Sequence, residues 1–204
     1  MASNSLSFQT LQRLPYYLDY LREVETENVS STAIAAEFRL HEVQVRKDLA
    51  SVSRQAGQPR KGFATKALIK DIEDILGYGH VDEAVIVGVG HLGTALANYA
   101  GFEKYGLKIV AGFDTRIASE EYLNQTPLYP MEKLDSLIRE RGIRLGIITV
   151  DGANAQAVCD QLVEAGVEAI WNFAPVLLQV PEGIIVQNEN MACALAILSH
   201  HLRK

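Results

Sequence analysis

The chain has 204 residues, of which 48% are hydrophobic and 22% charged, with a net charge of −6; this excludes a disordered chain and, at about 150 residues per domain, leaves room for one moderate core plus a small module. Its two cysteines, Cys159 and Cys193, form no Cys-x-x-Cys pair, which excludes a disulfide framework or a cysteine-rich zinc module and suits a reducing compartment. No apolar run approaches the ~18 residues that cross a bilayer, and the start lacks the basic-then-apolar order of a secretion signal, so the expected location is the cytoplasm, with no membrane partner and no metal.

Leu11, Leu14, Tyr17, Leu18 and Leu21 recur at three- and four-residue steps, predicting a helix over 11–23 with Pro15 in its first turn. Ser30, Ser31 and Thr32 then offer hydroxyls to free N–H groups at the start of a short helix ending near Phe38. After a break at Arg39-Leu40, a second helix over 41–52 puts Val45, Leu49 and Val52 on one side and leaves Gln44, Arg46, Lys47 and Ser51 for another surface. Two short helices around a tight break, the second carrying Gln, Arg and Lys, define a helix-turn-helix candidate. Gly57-Gln58-Pro59-Arg60-Lys61-Gly62 interrupts helicity around a basic tip, as a wing or hairpin does. A further helical pattern over 67–76 ends at Gly77-Tyr78-Gly79, and the module junction is expected near 77–82.

Charge follows the same division. Residues 39–70 hold eight basic residues against two acids, whereas the stretch from Val81 onward holds nine basic against fifteen acidic. That asymmetry is expected when one module meets phosphate and the other does not, although a merely solvated basic face also produces it.

Past the junction, short continuous apolar runs at 84–88, 109–113, 145–150 and 168–171 read as strands covered on both faces. They alternate with helical spacing at 91–99, 131–140 and 154–165, which predicts an α/β doubly wound parallel sheet. The end of the chain, 189–202, places Met191, Leu195, Leu198 and Leu202 on one helical stripe. Such a stripe needs a covering surface, from a second subunit or from its own domain. Cys159 and Cys193 read as small buried hydrophobes.

The run Gly88-Val89-Gly90-His91-Leu92-Gly93 follows the apolar strand Val85-Ile86-Val87 and enters a helix. In this Gly-x-Gly-x-x-Gly order the first glycine allows the tight turn, the second lets a pyrophosphate approach the backbone, and the third lets helix pack on strand. The next strand ends at Phe113-Asp114, where a carboxylate can accept adenosine ribose hydroxyls and repel a 2′-phosphate, favouring NAD(H) over NADP(H). Arg116, two positions on, could instead accommodate a 2′-phosphate, and a strand-terminal Asp also serves as a turn or cap acid.

No catalytic apparatus accompanies this cofactor signature. His41 belongs to the second helix of the helix-turn-helix, His91 to the glycine turn, and His200 and His201 to the chain end, and no Gly-x-Ser-x-Gly or His-Glu-x-x-His occurs. A dinucleotide-binding sheet consumes the whole stretch from Val81, leaving no substrate domain. The combination points to sensing and not to an enzyme. The other class in view is a small NAD(P)-binding or dehydrogenase-like subunit whose N-terminal helices contact a protein partner.

Taken together these residues resemble the Rex family of redox-sensing transcriptional repressors, over nearly the whole chain and in the same order. The resemblance rests on Arg13-Leu14-Pro15-Tyr16-Tyr17, Val29-Ser30-Ser31, Gln44-Val45-Arg46-Lys47-Asp48-Leu49, Gly88-Val89-Gly90-His91-Leu92-Gly93-Thr94-Ala95, Phe113-Asp114, Ala155-Gln156 and Asn172-Phe173-Ala174-Pro175. It implies a homodimer that binds palindromic double-stranded operator DNA and leaves it when NADH is bound. The implied layout is a winged helix over 1–79, a Rossmann-like NAD(H)-binding domain over 80–188, and a terminal helix over 189–204 exchanged between subunits. Ser31, Gln44, Arg46 and Lys47, with Arg60 and Lys61 in the wing, would meet DNA. Gly88, Val89, Gly90, His91, Leu92, Gly93, Asp114, Val150, Asn172 and Phe173 would meet NAD+ or NADH. Arg13, Tyr99 and Asn190 match positions that couple the nucleotide to DNA binding.

The sequence also departs from the family pattern. His91 replaces an Asn in the glycine turn, Val150-Asp151 stands where Val-Pro is common beside the nicotinamide, and Asn190 replaces an aspartate. A neutral amide cannot form the arginine ion pair, which implies a smaller or rearranged switch energy. In the wing, Arg60-Lys61-Gly62-Phe63 stands in place of a Gly-Tyr-Gly-Tyr type sequence.

Overall fold

A computed structural model of the protein describes residues 6–58 and 60–203. Residues 1–5 at the start, Pro59 of the expected wing and Lys204 lie outside the described residues. The chain divides into two units, Met1–His80 and Val81–Lys204.

The first unit is built from α1 (Phe8–Glu23), β1 (Asn28–Val29), α2 (Ser31–Phe38), α3 (Glu42–Val52), β2 (Phe63–Ala64) and α4 (Thr65–Leu76). Ser7 caps α1 by accepting from the Thr10 N–H, so the helix starts at Phe8 and Pro15 stands in mid-helix, not in the first turn as its spacing suggested. The buried face of α1 is formed by Thr10, Leu14, Tyr17, Leu18 and Leu21, with Leu11 exposed. Ser30 caps α2, and Arg39 ends it in the left-handed region with φ 52°. His41 Nδ1 accepts from the Val43 N–H at the start of α3 (3.3 Å). Leu14, Tyr17, Ile34, Val45, Leu49, Leu68 and Ile72 close one core beneath these helices.

The strands β1 and β2 pair antiparallel, and beyond them a tight hairpin joins Gln58 to Gly62 through two backbone hydrogen bonds of 2.8 and 2.9 Å. Gly62 has φ 80°, and a Cβ there would stand 2.2 Å from the Val29 carbonyl oxygen, so the hairpin can close against β1 only with glycine at this position.

The second unit carries β3 (Asp82–Val87), α5 (His91–Ala97), α6 (Gly101–Lys104), β4 (Leu107–Phe113), β5 (Glu121–Leu123), β6 (Thr126–Tyr129), α7 (Leu134–Arg141), β7 (Leu145–Ile148), α8 (Gly152–Ala165), β8 (Ala169–Asn172), β9 (Ile185–Asn188) and α9 (Met191–Leu202). The sheet order is β5-β6-β4-β3-β7-β8-β9, parallel throughout except for the β5–β6 pair. Without the added edge strand this is the 3-2-1-4-5-6 order of a Rossmann sheet, with its switch point between β3 and β7. One face packs Val85, Val87, Phe113 and Ile148 against α7 and α8, and the other packs Ala84, Ile86, Ile109 and Ile147 against Leu96 and Phe102. The strands read from apolar runs are therefore the central, doubly covered ones; the edge strands β5 and β9, and β6 next to the β5 edge, are short and lack such runs.

Asn190 caps α9, accepting from the Ala192 and Cys193 N–H groups (3.0 and 3.1 Å). No residue of α9 is buried, and Met191, Leu195, Ile197, Leu198 and Leu202 are exposed. Cys193 is exposed with them, which corrects its reading as a buried hydrophobe; Cys159, inside α8, is buried, and burial raises its thiol pKa. Among the described residues no helix is long and apolar enough to cross a membrane, and no cluster of side chains could hold a metal ion.

Candidate functional site

The glycine turn leaves β3 at the switch point. Gly88 has φ 97° and its N–H donates to the Phe113 carbonyl (2.8 Å), while the Thr149 hydroxyl at the end of β7 donates to the Gly88 carbonyl (2.6 Å). A Cβ on Gly93 would lie 1.9 Å from the Gly88 oxygen, so this glycine is required for α5 to pack on the turn. A Cβ on Gly90, by contrast, would meet nothing within 4 Å. The backbone there is open to a ligand, and the N–H groups that begin α5 have no partner one turn earlier. This is the cradle a dinucleotide pyrophosphate fits.

Around it lies a cleft of about 510 Å³ lined by Gly88, Gly90, Asp114, Arg116, Thr149, Val150, Asp151 and Asn154, among others. Asp114 holds the turn by accepting from the Val89 N–H (2.8 Å). Its remaining positions accept from the Arg116 N–H, Nε and Nη2 (3.0, 2.9 and 2.9 Å), and Arg116 Nη2 also donates to the Val89 carbonyl (3.0 Å). Arg116, against the cost of burial and with help from the two backbone N–H groups, holds the Asp114 carboxyl down at about 2. The carboxylate is thus fully subscribed, and ribose hydroxyls would have to share it with Arg116.

The structure gathers Gly88, Gly90, Asp114 and Val150 on this cleft, with Val89 held by Asp114. His91 is exposed and Leu92 half-buried at the start of α5. Asn172 turns inward, 0% exposed: its amide donates to the Val176 carbonyl and Asn188 Oδ1 (both 2.8 Å) and its oxygen accepts from the Ala174 N–H (3.0 Å). It organises the loop after β8, and Phe173 packs beside it on Trp171 at 4.9 Å. Thr149 was missed from the sequence because a hydroxyl at a strand end carries no local signal.

In the first unit, Ser31, Arg46 and Arg60 line one groove of about 610 Å³ together with Ser30, Thr32 and Gln58. Arg46 pairs with Glu42 one turn back, and Lys47 and Lys61 are exposed. Gln44 donates to Asp48 Oδ1 (2.9 Å). Asp48 is a hub that sequence reasoning overlooked: it is 2% exposed and also accepts from Arg13, Tyr17 and Thr10. Its signal was an acid beside Leu49 on the apolar face of α3. Of the coupling positions, Arg13 is bound to Asp48, Tyr99 is 56% exposed with its ring 4.9 Å from that of Phe102, and Asn190 is the cap of α9.

A helix-turn-helix module with a basic hairpin, in one chain with a Rossmann sheet whose glycine turn is shaped for a dinucleotide, defines a nucleotide-responsive DNA-binding protein. The proteins named redox-sensing transcriptional repressor Rex from Treponema denticola and Carboxydothermus hydrogenoformans are 38% and 37% identical to it, covering 93% and 96% of this chain and 91% and 95% of their own lengths. The chain belongs to the Rex family of redox-sensing transcriptional repressors. Its residues 81–176 match the model of the CoA binding domain, and residues 5–50 that of the putative DNA-binding protein N-terminus. Among solved structures, RSP in complex with β-NAD+ and operator DNA superposes with a TM-score of 0.91 at 31% identity, covering 98% of this chain and 94% of that one. RSP in complex with β-NADH gives 0.84 at 30% identity, covering 98% and 95%.

Proposed function

We propose that this protein is a cytoplasmic repressor that binds a palindromic operator duplex as a homodimer and is released by NADH, so that operator occupancy follows the NADH/NAD+ ratio. The observation that carries this reading is the open backbone at Gly90, in a chain that matches, over nearly its whole length, a structure holding both β-NAD+ and operator DNA. That match includes the N-terminal helices, which favours DNA over a protein partner for them.

In this reading 1–79 contact DNA, 80–188 bind the dinucleotide, and 189–204 supply a helix exchanged between subunits, which would cover the exposed apolar side chains of α9. Ser31, Gln44, Arg46 and Lys47 from the helix-turn-helix and Arg60 and Lys61 from the hairpin face the duplex. The glycine turn from Gly88 to Gly93 takes the pyrophosphate, Asp114 the adenosine ribose, and Val150, Asn172 and Phe173 shape the nicotinamide end. Arg13, Tyr99 and Asn190 couple the two functions. The role in this reading is sensing without turnover, which the relatives' name of transcriptional repressor supports.

The test is fluorescence anisotropy of an operator duplex at fixed salt, titrated with NADH and then with NAD+. Release by NADH alone is the expected result. Absence of duplex binding under every ligand condition overturns the proposal.

A further inference from the structure

The glycine turn and Asp114 assign the adenosine half of a dinucleotide to the β3–β4 side of the cleft, because the first βα unit of this fold takes that half and the second takes the other mononucleotide. The other half of the cleft runs along the turn from β7 into α8, where Thr149, Val150, Asp151 and Asn154 line it. Among the described residues, the charged side chains lining this cleft are Asp114, Arg116 and Asp151. Two of these cancel, since Arg116 donates to both oxygens of Asp114. Among the described residues Asp151 has no such partner: its carboxylate accepts from the neutral Asn154 alone, from the backbone N–H at 3.1 Å and the side-chain amide at 2.9 and 3.1 Å. The nicotinamide half therefore carries one uncompensated negative charge.

Resting on the function proposed above, we infer that Asp151 sets the redox selectivity of this site by favouring the oxidised coenzyme. The nicotinamide ring bears a positive charge in NAD+ and none in NADH. The Asp151 carboxylate attracts the cationic ring and offers the neutral one nothing comparable. Asp151 is exposed, so the attraction operates through a water-like dielectric, where a pair of unit charges near contact shifts an equilibrium by about fivefold. It also weakens with salt. In consequence a higher NADH/NAD+ ratio is needed to load the reduced coenzyme than at a site without this charge.

Asp151 also caps α8, and the experiment must separate charge from cap. Asparagine is as good an N-cap as aspartate, so Asp151→Asn removes the charge and keeps the helix start. Calorimetric titration of the full-length wild type and this variant with NAD+ and with NADH, at low and high salt, reads the two affinities directly. The expected result is an about fivefold loss of NAD+ affinity at low salt, fading at high salt, with NADH affinity unchanged. Equal NADH/NAD+ affinity ratios in the two proteins overturn the inference while leaving the proposed function standing. If the wild type binds neither nucleotide, the proposed function falls and this inference with it. Should Asp151→Asn fail to fold, Asp151→Ser removes the same charge with another capping side chain and carries the same comparison.

Discussion

Arg13 grips Asp48 with two parallel hydrogen bonds, Nε to Oδ2 at 2.7 Å and Nη2 to Oδ1 at 2.9 Å, tying α1 to the second helix of the helix-turn-helix. The same carboxylate accepts from Tyr17 (3.0 Å), Thr10 (3.1 Å) and Gln44 (2.9 Å), so three side chains of α1 and one of α3 itself meet at one acid.

Removing that acid should loosen α3. Asp48→Ala leaves the Tyr17 hydroxyl and part of the Arg13 guanidinium without a partner, and the expected cost is about 3 kcal/mol in urea unfolding. Asp48→Asn, which keeps most acceptors in place, should cost less. Equal stability of wild type and Asp48→Ala would remove Asp48 as an organiser of the module.

The same hub makes stability depend on pH at both ends. Burial alone would raise the Asp48 carboxyl, but hydrogen bonds from Arg13, Gln44, Tyr17 and Thr10 together hold it below the ordinary carboxylate range. A lowered folded-state pKa contributes stability above the unfolded value, and this is lost as pH falls through the folded one. Burial and the Asp48 bond push Tyr17 up to about 12. That contribution is complete below the ordinary tyrosine range and disappears as pH rises through about 12. Thermal melts of wild type and Tyr17→Phe across the alkaline range check it: the variant should lose the alkaline part of the dependence.

Two glycines of one turn should fail in different ways. Gly93→Ala drives a Cβ to 1.9 Å from the Gly88 oxygen, so the protein should lose about 1–3 kcal/mol along with NADH binding. Gly90→Ala meets no protein atom within 4 Å, so it should melt normally yet bind NADH weakly, because the methyl occupies the space a phosphate needs. Melting and calorimetry on the pair separate fold from site. Undiminished NADH affinity in Gly90→Ala would argue against the pyrophosphate cradle.

Arg116 neutralises Asp114 and thereby lessens the repulsion of a 2′-phosphate. Arg116→Ala leaves Asp114 with the backbone N–H groups of Val89 and residue 116 only, and should raise the preference for NADH over NADPH by about fivefold. Competition of the two reduced nucleotides for the protein measures the ratio, and an unchanged ratio means Arg116 plays no part in discrimination.

On DNA, the two cations of α3 should behave differently if Arg46 reads bases and Lys47 meets phosphate. Arg46→Ala should cost about 1–3 kcal/mol and relax operator specificity, whereas Lys47→Ala should weaken all duplexes alike and reduce the salt slope by about 1. Anisotropy against operator and scrambled duplexes over a salt series gives both quantities. Indifference of both affinities to both substitutions would take α3 out of the interface.

Features that depend on neighbours along the chain could be read from the residues alone. The paired short helices before and after Arg39, the glycine turn from Gly88 to Gly93, and the central strands β3, β4, β7 and β8 each carry a periodicity or spacing complete within a dozen or so residues. Features that turn on distant partners came from the folded arrangement. Asn172 faces inward because Asn188 on β9 and the Val176 carbonyl receive it. Asp48 became a hub because α1 delivers Arg13, Thr10 and Tyr17 to it. Thr149 supports the glycine turn because β7 lies beside β3. The edge strands β5 and β9, and β6 beside the first of them, formed on pairing with neighbours, without the apolar runs that burial on both faces imposes. A side chain's chemistry is written at its own position, but its partners are chosen by the chain closure that brings remote backbone within a few ångströms.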